Sequence, residues 1–250
     1  MEAPFFVVCH RKGEKMYSFD SRVRYSELAE NGKLSPDGIV NYLQDCTCFE
    51  SEELGVGMDT VYGRQKMWVL NFWQIVIDRY PDMGEHIKIA TQACGSEKMF
   101  GYRNFLIYGE DGKAAVQAYS IWTLLDRVKM RPCMVSPEDI DLYGIADPLP
   151  LEKVSRKISV PNEGGQEQKA FVVQEYHLDT NHHVNNGQYV RMATAYLPET
   201  FVIRELRVEY RSQAMLGDTI RPVRYEMPDG YLVALQDSAG KAYCVVRFMG

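Results

Sequence analysis

Between Tyr176 and Gly187 the chain reads Tyr-His-Leu-Asp-Thr-Asn-His-His-Val-Asn-Asn-Gly, a segment that holds three of its five histidines, His177, His182 and His183. In extended backbone alternate side chains leave on the same side, so Asp179, Asn181 and His183 are expected to share one. The segment also runs into a predicted helix start near Asn186, where unpaired N–H groups and the helix dipole favour developing negative charge. A carboxylate, an amide and an imidazole beside such an end could support acyl transfer or hydrolysis. The same residue types also suit a polar turn that caps a helix.

Other chemistries find less support. His182 and His183 are adjacent and would diverge in extended backbone, no His-Glu-x-x-His occurs, and His10 and His86 lie in unrelated segments, which argues against zinc. There is no Gly-x-Ser-x-Gly elbow. Gly13-Glu-Lys lacks phosphate-loop spacing, and no Lys-Ser/Thr pair follows Gly164-Gly165. Neither a metal nor an organic cofactor is expected. A net charge of −6 disfavours a nucleic-acid partner, which needs a dominant basic surface. The six cysteines, Cys9, Cys46, Cys48, Cys94, Cys133 and Cys244, form no Cys-x-x-Cys pair and read as free thiols, as in a reducing cytoplasm. The apolar run from Ala3 to Cys9 is broken by Pro4 and followed by His10, Arg11 and Lys12, so no signal peptide is expected. No stretch of ~18 apolar residues suggests a membrane span.

At 250 residues, 46% of them hydrophobic and 25% charged, the chain has room for one large domain or two smaller ones. Ser35-Pro36-Asp37 opens a predicted helix with Ile39, Leu43 and Cys46 on one face. Trp68–Ile77 is apolar on both sides and predicts a buried strand. Further strands are expected at 87–93, 103–108 and 114–125, with a hairpin turn at Gly109–Lys113. From Asp126 to about Lys157, Arg131-Pro132, Ser136-Pro137 and Asp147-Pro-Leu-Pro150 predict a linker. The order then restarts: a strand at 171–176, a polar loop, a helix carrying Val190, Ala193 and Leu197 up to Pro198, and strands at 203–211, 219–227, 231–236 and 243–249.

Three pairs of similar segments support a tandem duplication. Met83-Gly84-Glu85 resembles Leu216-Gly217-Asp218 at an offset of 133, Gly112-Lys113-Ala114 resembles Gly240-Lys241-Ala242 at 128, and the helix starts pair Gly38 with Gly187 at 149. Each copy would bury one helical stripe against an antiparallel sheet. Counting back 150 from Asp179, Asn181 and His183 gives Ala29, Asn31 and Lys33, so only the second copy is expected to be catalytic.

The Asp179-Thr-Asn181-His-His183-Val-Asn-Asn186 string, followed by a helix and then Val208-Glu-Tyr-Arg211, resembles the active-site region of the acyl-acyl carrier protein thioesterases, a bacterial type related to the plant enzymes. Ser35–Glu53, Trp68–Pro81 and Ser136-Pro-Glu138 resemble that family's first helix, first long strand and linker start, so nearly the whole chain is covered. The resemblance implies an α+β tandem double hotdog: an N-terminal, acyl-binding hotdog over 1–130, a linker over 131–157 and a catalytic hotdog over 158–250. It implies hydrolysis of a fatty acyl-acyl carrier protein, with Asp179, Asn181 and His183 catalytic. Asn181 would face the thioester carbonyl, His183 would orient or deprotonate water, and Asp179 would hold the network or act as base. Where the family commonly has a glutamate this chain has Gln213, and where many members have a cysteine it has Ala214. Gln213 is therefore a fourth site candidate that cannot serve as base.

The partner implied is acyl carrier protein with a fatty acyl chain. Arg127, Lys129 and Arg131, or Arg204, Arg207 and Arg211, are candidates for docking an acidic carrier, although such clusters also occur on plain solvated faces. A coenzyme A thioesterase and a non-catalytic acyl-binding sensor are the alternatives. A homodimer is possible, although a duplication can supply that pairing within one chain.

Overall fold

The computed structural model describes residues 16–57 and 65–250. Cys9, His10, the run from Ala3 and the Gly13 segment lie outside them. Twelve strands and two long helices are present in the described residues: β1 (Tyr17–Arg22), α1 (Pro36–Glu53), β2 (Lys66–Ile77), β3 (His86–Glu97), β4 (Phe100–Tyr108), β5 (Ala114–Asp126), β6 (Arg131–Pro132), β7 (Gln166–Glu167), β8 (Phe171–Val172), α2 (Asn186–Thr194), β9 (Glu205–Tyr210), β10 (Thr219–Met227), β11 (Gly230–Gln236) and β12 (Ala242–Met249). Two compact units form. Among the described residues the first takes 16–35, 42–57, 65–70 and 78–152, and the second takes 36–41, 71–77 and 153–250.

In the first unit β1, β3, β4 and β5 pair in that order, all antiparallel. Helix α1 carries the stripe its spacing predicts: Ile39, Leu43 and Cys46 are completely buried. Phe19 of β1 meets Phe49 edge-on at 5.0 Å, and the Cys46 thiol donates to the Ile89 carbonyl at 3.6 Å. Glu50 of the helix pairs with Arg103 of β4, both buried, and Arg103 also donates to Thr91 at 3.1 Å. In the second unit the order is β9, β12, β11, β10, again antiparallel; β7 and β8 both lie on β10, and residues 72–76 of β2 pair with β9. Val190 and Ala193 of α2 are fully buried.

The hydrogen bonds repeat with the sequence. Ala29 N–H donates to Lys33 O at 2.8 Å and Gly32 N–H to Ala29 O at 3.0 Å; 150 residues later Asp179 donates to His183 at 2.8 Å and His182 to Asp179 at 3.0 Å. Gly84 donates to Val23 as Gly217 does to Val173, and Gly109 donates to Lys113 as Asp237 does to Lys241, in accord with the offsets of 133 and 128. The helix offset is 150 rather than 149, because the helices open at Pro36 and Asn186.

Several elements differ from expectation. The strand predicted over 171–176 stops at Val172, and Glu175–His177 is a 3-10 turn capped by His177, whose Nδ1 accepts the Gln174 N–H at 3.0 Å. Helix α2 ends at Thr194 instead of reaching Pro198, and irregular turns carry the chain onward. Arg131–Pro132 is not free of the sheet: it pairs with Leu125–Asp126 as a two-residue edge, a position where proline's missing donor does no harm. Strand β1 was not expected, since only Tyr17 and Phe19 mark its inward face. Beyond β6 the chain stays on the first unit to residue 152, with the Asn104 amide donating to Asp147 O at 2.9 Å and accepting the Leu149 N–H at 3.1 Å. No helix among the described residues is long and apolar enough to cross a membrane.

Candidate active site

The loop that carries the candidate residues is a closed turn, so the one-sided alternation expected for Asp179, Asn181 and His183 does not hold. Asp179 N–H donates to His183 O, and His182 takes a left-handed backbone with φ 61° where the first copy has Gly32 at φ 76°. Asp179 is the centre of the turn. Its Oδ1 accepts the Asn181 N–H at 2.8 Å and the His183 N–H at 3.4 Å. Its Oδ2 and the side chains of Asn181 and His183 make no hydrogen bond within the described residues, which leaves them available to a ligand. Asn181 is exposed, while Asp179 and His183 are half-buried.

Leaving the turn, Val184 N–H donates to Ala214 O at 3.0 Å and His183 bridges Met215 antiparallel. Side chains alternate across such a pair, so buried Val184 and Ala214 point inward and His183, Asn185, Gln213 and Met215 share the opposite side. Gln213, exposed and without a side-chain hydrogen bond among the described residues, therefore becomes a diagonal neighbour of His183. The structure thus brings all four candidate residues to one loop pair, but in two groups: Asp179 and Asn181 in the turn, His183 and Gln213 on the adjoining ladder.

Helix α2 begins directly after this ladder. Asn185 is its N-cap, its side-chain oxygen accepting the Gly187 N–H at 2.8 Å. A Cβ on Gly187 would lie 2.2 Å from the Asn41 Oδ1, so the first turn of α2 comes close to a polar side chain from α1 that no motif had singled out. Tyr189, buried on α2, accepts the Ala214 N–H at its hydroxyl oxygen at 2.9 Å. An apolar-stripe reading takes such a tyrosine for core; only the tertiary fold gives its oxygen a partner. His177 is engaged locally: burial and the charge of Arg191 lower its pKa, and its Nδ1 accepts the Gln174 N–H. No group of three or more His, Cys, Asp or Glu among the described residues could hold a metal ion.

A carboxylate-closed turn beside a helix N-terminus, mounted on the second of two helix-and-sheet copies, defines a tandem hotdog protein with one candidate site. The acyl-ACP thioesterase N-terminal domain matches residues 14–143 and the corresponding C-terminal domain residues 162–242, and the chain belongs to this family. A chloroplastic palmitoyl-acyl carrier protein thioesterase of Gossypium hirsutum is 25% identical over 215 residues, 79% of this chain and 52% of that protein. A similar chloroplastic enzyme of Cuphea hookeriana is 25% identical over 83% of this chain and 54% of its own. The chain spans about half the length of the curated relatives it matches. The crystal structure of an acyl-ACP thioesterase from Bacteroides thetaiotaomicron superposes with a TM-score of 0.84 at 23% identity, over 93% of this chain and 96% of that one. A 12:0-ACP thioesterase from Umbellularia californica gives 0.81 at 18% identity, over 95% and 98%. These likenesses establish the hotdog fold.

Proposed function

We propose that this protein hydrolyses the thioester of a fatty acyl-acyl carrier protein and releases the free fatty acid by direct attack of water, using no metal or organic cofactor. The observation that carries the reading is the loop pair in which the unengaged side chains of Asn181 and His183 stand beside the N-terminus of α2, in a chain of the thioesterase family. Asn181 would donate to the thioester carbonyl and the α2 terminus would share the developing oxyanion. His183 would take the proton from water and return it to the carrier's departing thiolate as the C–S bond breaks, with Gln213 holding that water by hydrogen bonds it can both donate and accept. Asp179, through its second oxygen, would stabilise the charged imidazole or the water. The second copy is the catalytic one and the first is assigned to acyl binding.

For the carrier, we favour the β5–β6 turn. Lys129 and Arg131 are exposed there beside exposed Val128 and Met130, with Lys129 only loosely paired to Asp126 at 3.8 Å, whereas Arg207 and Arg211 are drawn to Glu205 and Glu209 at 2.6 and 2.7 Å. The cytoplasm is the proposed location, supported by the unpaired cysteines of the described residues. The test is turnover of carrier-linked and coenzyme A-linked acyl chains of several lengths by the purified protein. Preference for the coenzyme-linked series would move the assignment to an acyl-CoA thioesterase, and binding without turnover would make the protein a sensor.

A further inference from the structure

The two copies of the repeat differ at a contact that the fold does not require. In both, the residue that leaves the turn donates its N–H across the ladder: Leu34 to Pro81 O at 2.9 Å, Val184 to Ala214 O at 3.0 Å. Only in the second copy is the accepting residue also held through its own N–H. Ala214 N–H is bound by the Tyr189 hydroxyl oxygen at 2.9 Å, whereas the equivalent of Ala214 is Pro81, which has no N–H, and the equivalent of Tyr189 is Ile39, which has no hydroxyl. The copy with Ala29 and Lys33 in place of Asp179 and His183, although Asn31 matches Asn181, thus lacks both partners of the contact.

Tyr189 is well placed to be rigid. Its side chain is buried, its ring lies 6.0 Å from that of Tyr210, and the Tyr210 hydroxyl donates to Asn186 O at 3.1 Å in the first turn of the same helix. With both backbone groups of Ala214 tied, the preceding residue, Gln213, is fixed on the side of the ladder that His183 occupies.

We propose that Tyr189 is a positioning residue of the second copy: its hydroxyl oxygen clamps the Ala214 amide and thereby holds Gln213 beside His183. This rests on the thioesterase reading for its consequence in turnover, but not for the clamp itself. Tyr189→Phe keeps the ring and removes the acceptor, leaving a buried N–H without a partner. Hydrogen exchange of the Ala214 amide, followed by NMR, should accelerate, and kcat on an acyl-acyl carrier protein should fall about fivefold to tenfold with KM unchanged. In a Gln213→Ala background the same substitution should cost nothing further, because the residue it positions is gone. Ala214→Pro, which copies the first half, should reproduce the kcat loss should Tyr189→Phe not fold.

Additive losses in the double variant, or Ala214 exchange unchanged by Tyr189→Phe, would overturn the proposal. Should the wild-type protein hydrolyse no acyl thioester, the thioesterase reading fails, and Ala214 exchange alone decides the clamp: faster exchange in the variant upholds it and unchanged exchange refutes it.

Discussion

Asp179 has a structural duty that competes with any chemical one. Its Oδ1 closes the 180–183 turn through two amides, so Asp179→Ala would remove a cap as well as a charge. Losing those bonds should cost ~1–2 kcal/mol and lower the melting temperature. Asp179→Asn separates the roles, since the amide oxygen can still accept both N–H groups. Its melting temperature should stay close to wild type while turnover falls ~10²-fold, and near-normal turnover would leave Asp179 a turn cap only. At Gln213 the expected losses are smaller. Gln213→Ala should slow turnover about threefold to tenfold, as one neutral hydrogen bond permits. A clear gain in Gln213→Glu would show that the natural chain works without a base at that position.

At the scale of the element, the loop before α2 is held by two devices that can be tested apart from activity. Asn185→Ala removes the N-cap and should lower stability in urea denaturation by ~1 kcal/mol, whereas Asn185→Ser should cost much less. His182 occupies a left-handed conformation that the first copy assigns to glycine. A non-glycine residue there costs roughly 1 kcal/mol, so His182→Gly should raise stability slightly or leave it unchanged. A marked loss of stability in that variant would mean that the imidazole of His182 makes a compensating contact.

For the molecule as a whole, the buried Glu50–Arg103 pair ties α1 to β4 in the first unit, with Arg103 also lying over the Tyr143 ring at 5.0 Å. Burial raises the Glu50 carboxyl, and the Arg103 charge opposes that rise. Arg103→Met would leave the carboxylate buried and alone, a loss of about 3–5 kcal/mol at neutral pH. In that variant the folded-state pKa of Glu50 rises further above its unfolded value of about 4.3. A carboxyl raised in the folded state stabilises that state most below the unfolded pKa and progressively less as pH climbs to the folded one. The deficit should therefore shrink as pH is lowered from 7 towards 5, and urea titrations at both values would reveal it. The Arg79–Glu85 pair runs the other way: Arg79 holds Glu85 down to about 2, so its contribution is present at neutral pH and disappears as pH falls from about 4 towards 2.

Much of this was legible in the residues. Periodicity placed the buried stripe of α1, β-branched and aromatic runs placed the long strands, turn chemistry placed the hairpins, and recurring segments exposed the duplication, because each of these depends on neighbours close in the chain. The Asp-x-Asn-x-His string also singled out one loop, 179–183, as the candidate site. Its shape was not legible: alternation suggested extended backbone, while a left-handed His182 and the two bonds to Asp179 Oδ1 fold it into a turn. The hydrogen bond of Ala214 N–H to the Tyr189 hydroxyl and the meeting of Glu50 with Arg103 join residues 25 and 53 positions apart. Contacts of that kind are set by strand register and helix placement, which only the packed chain decides.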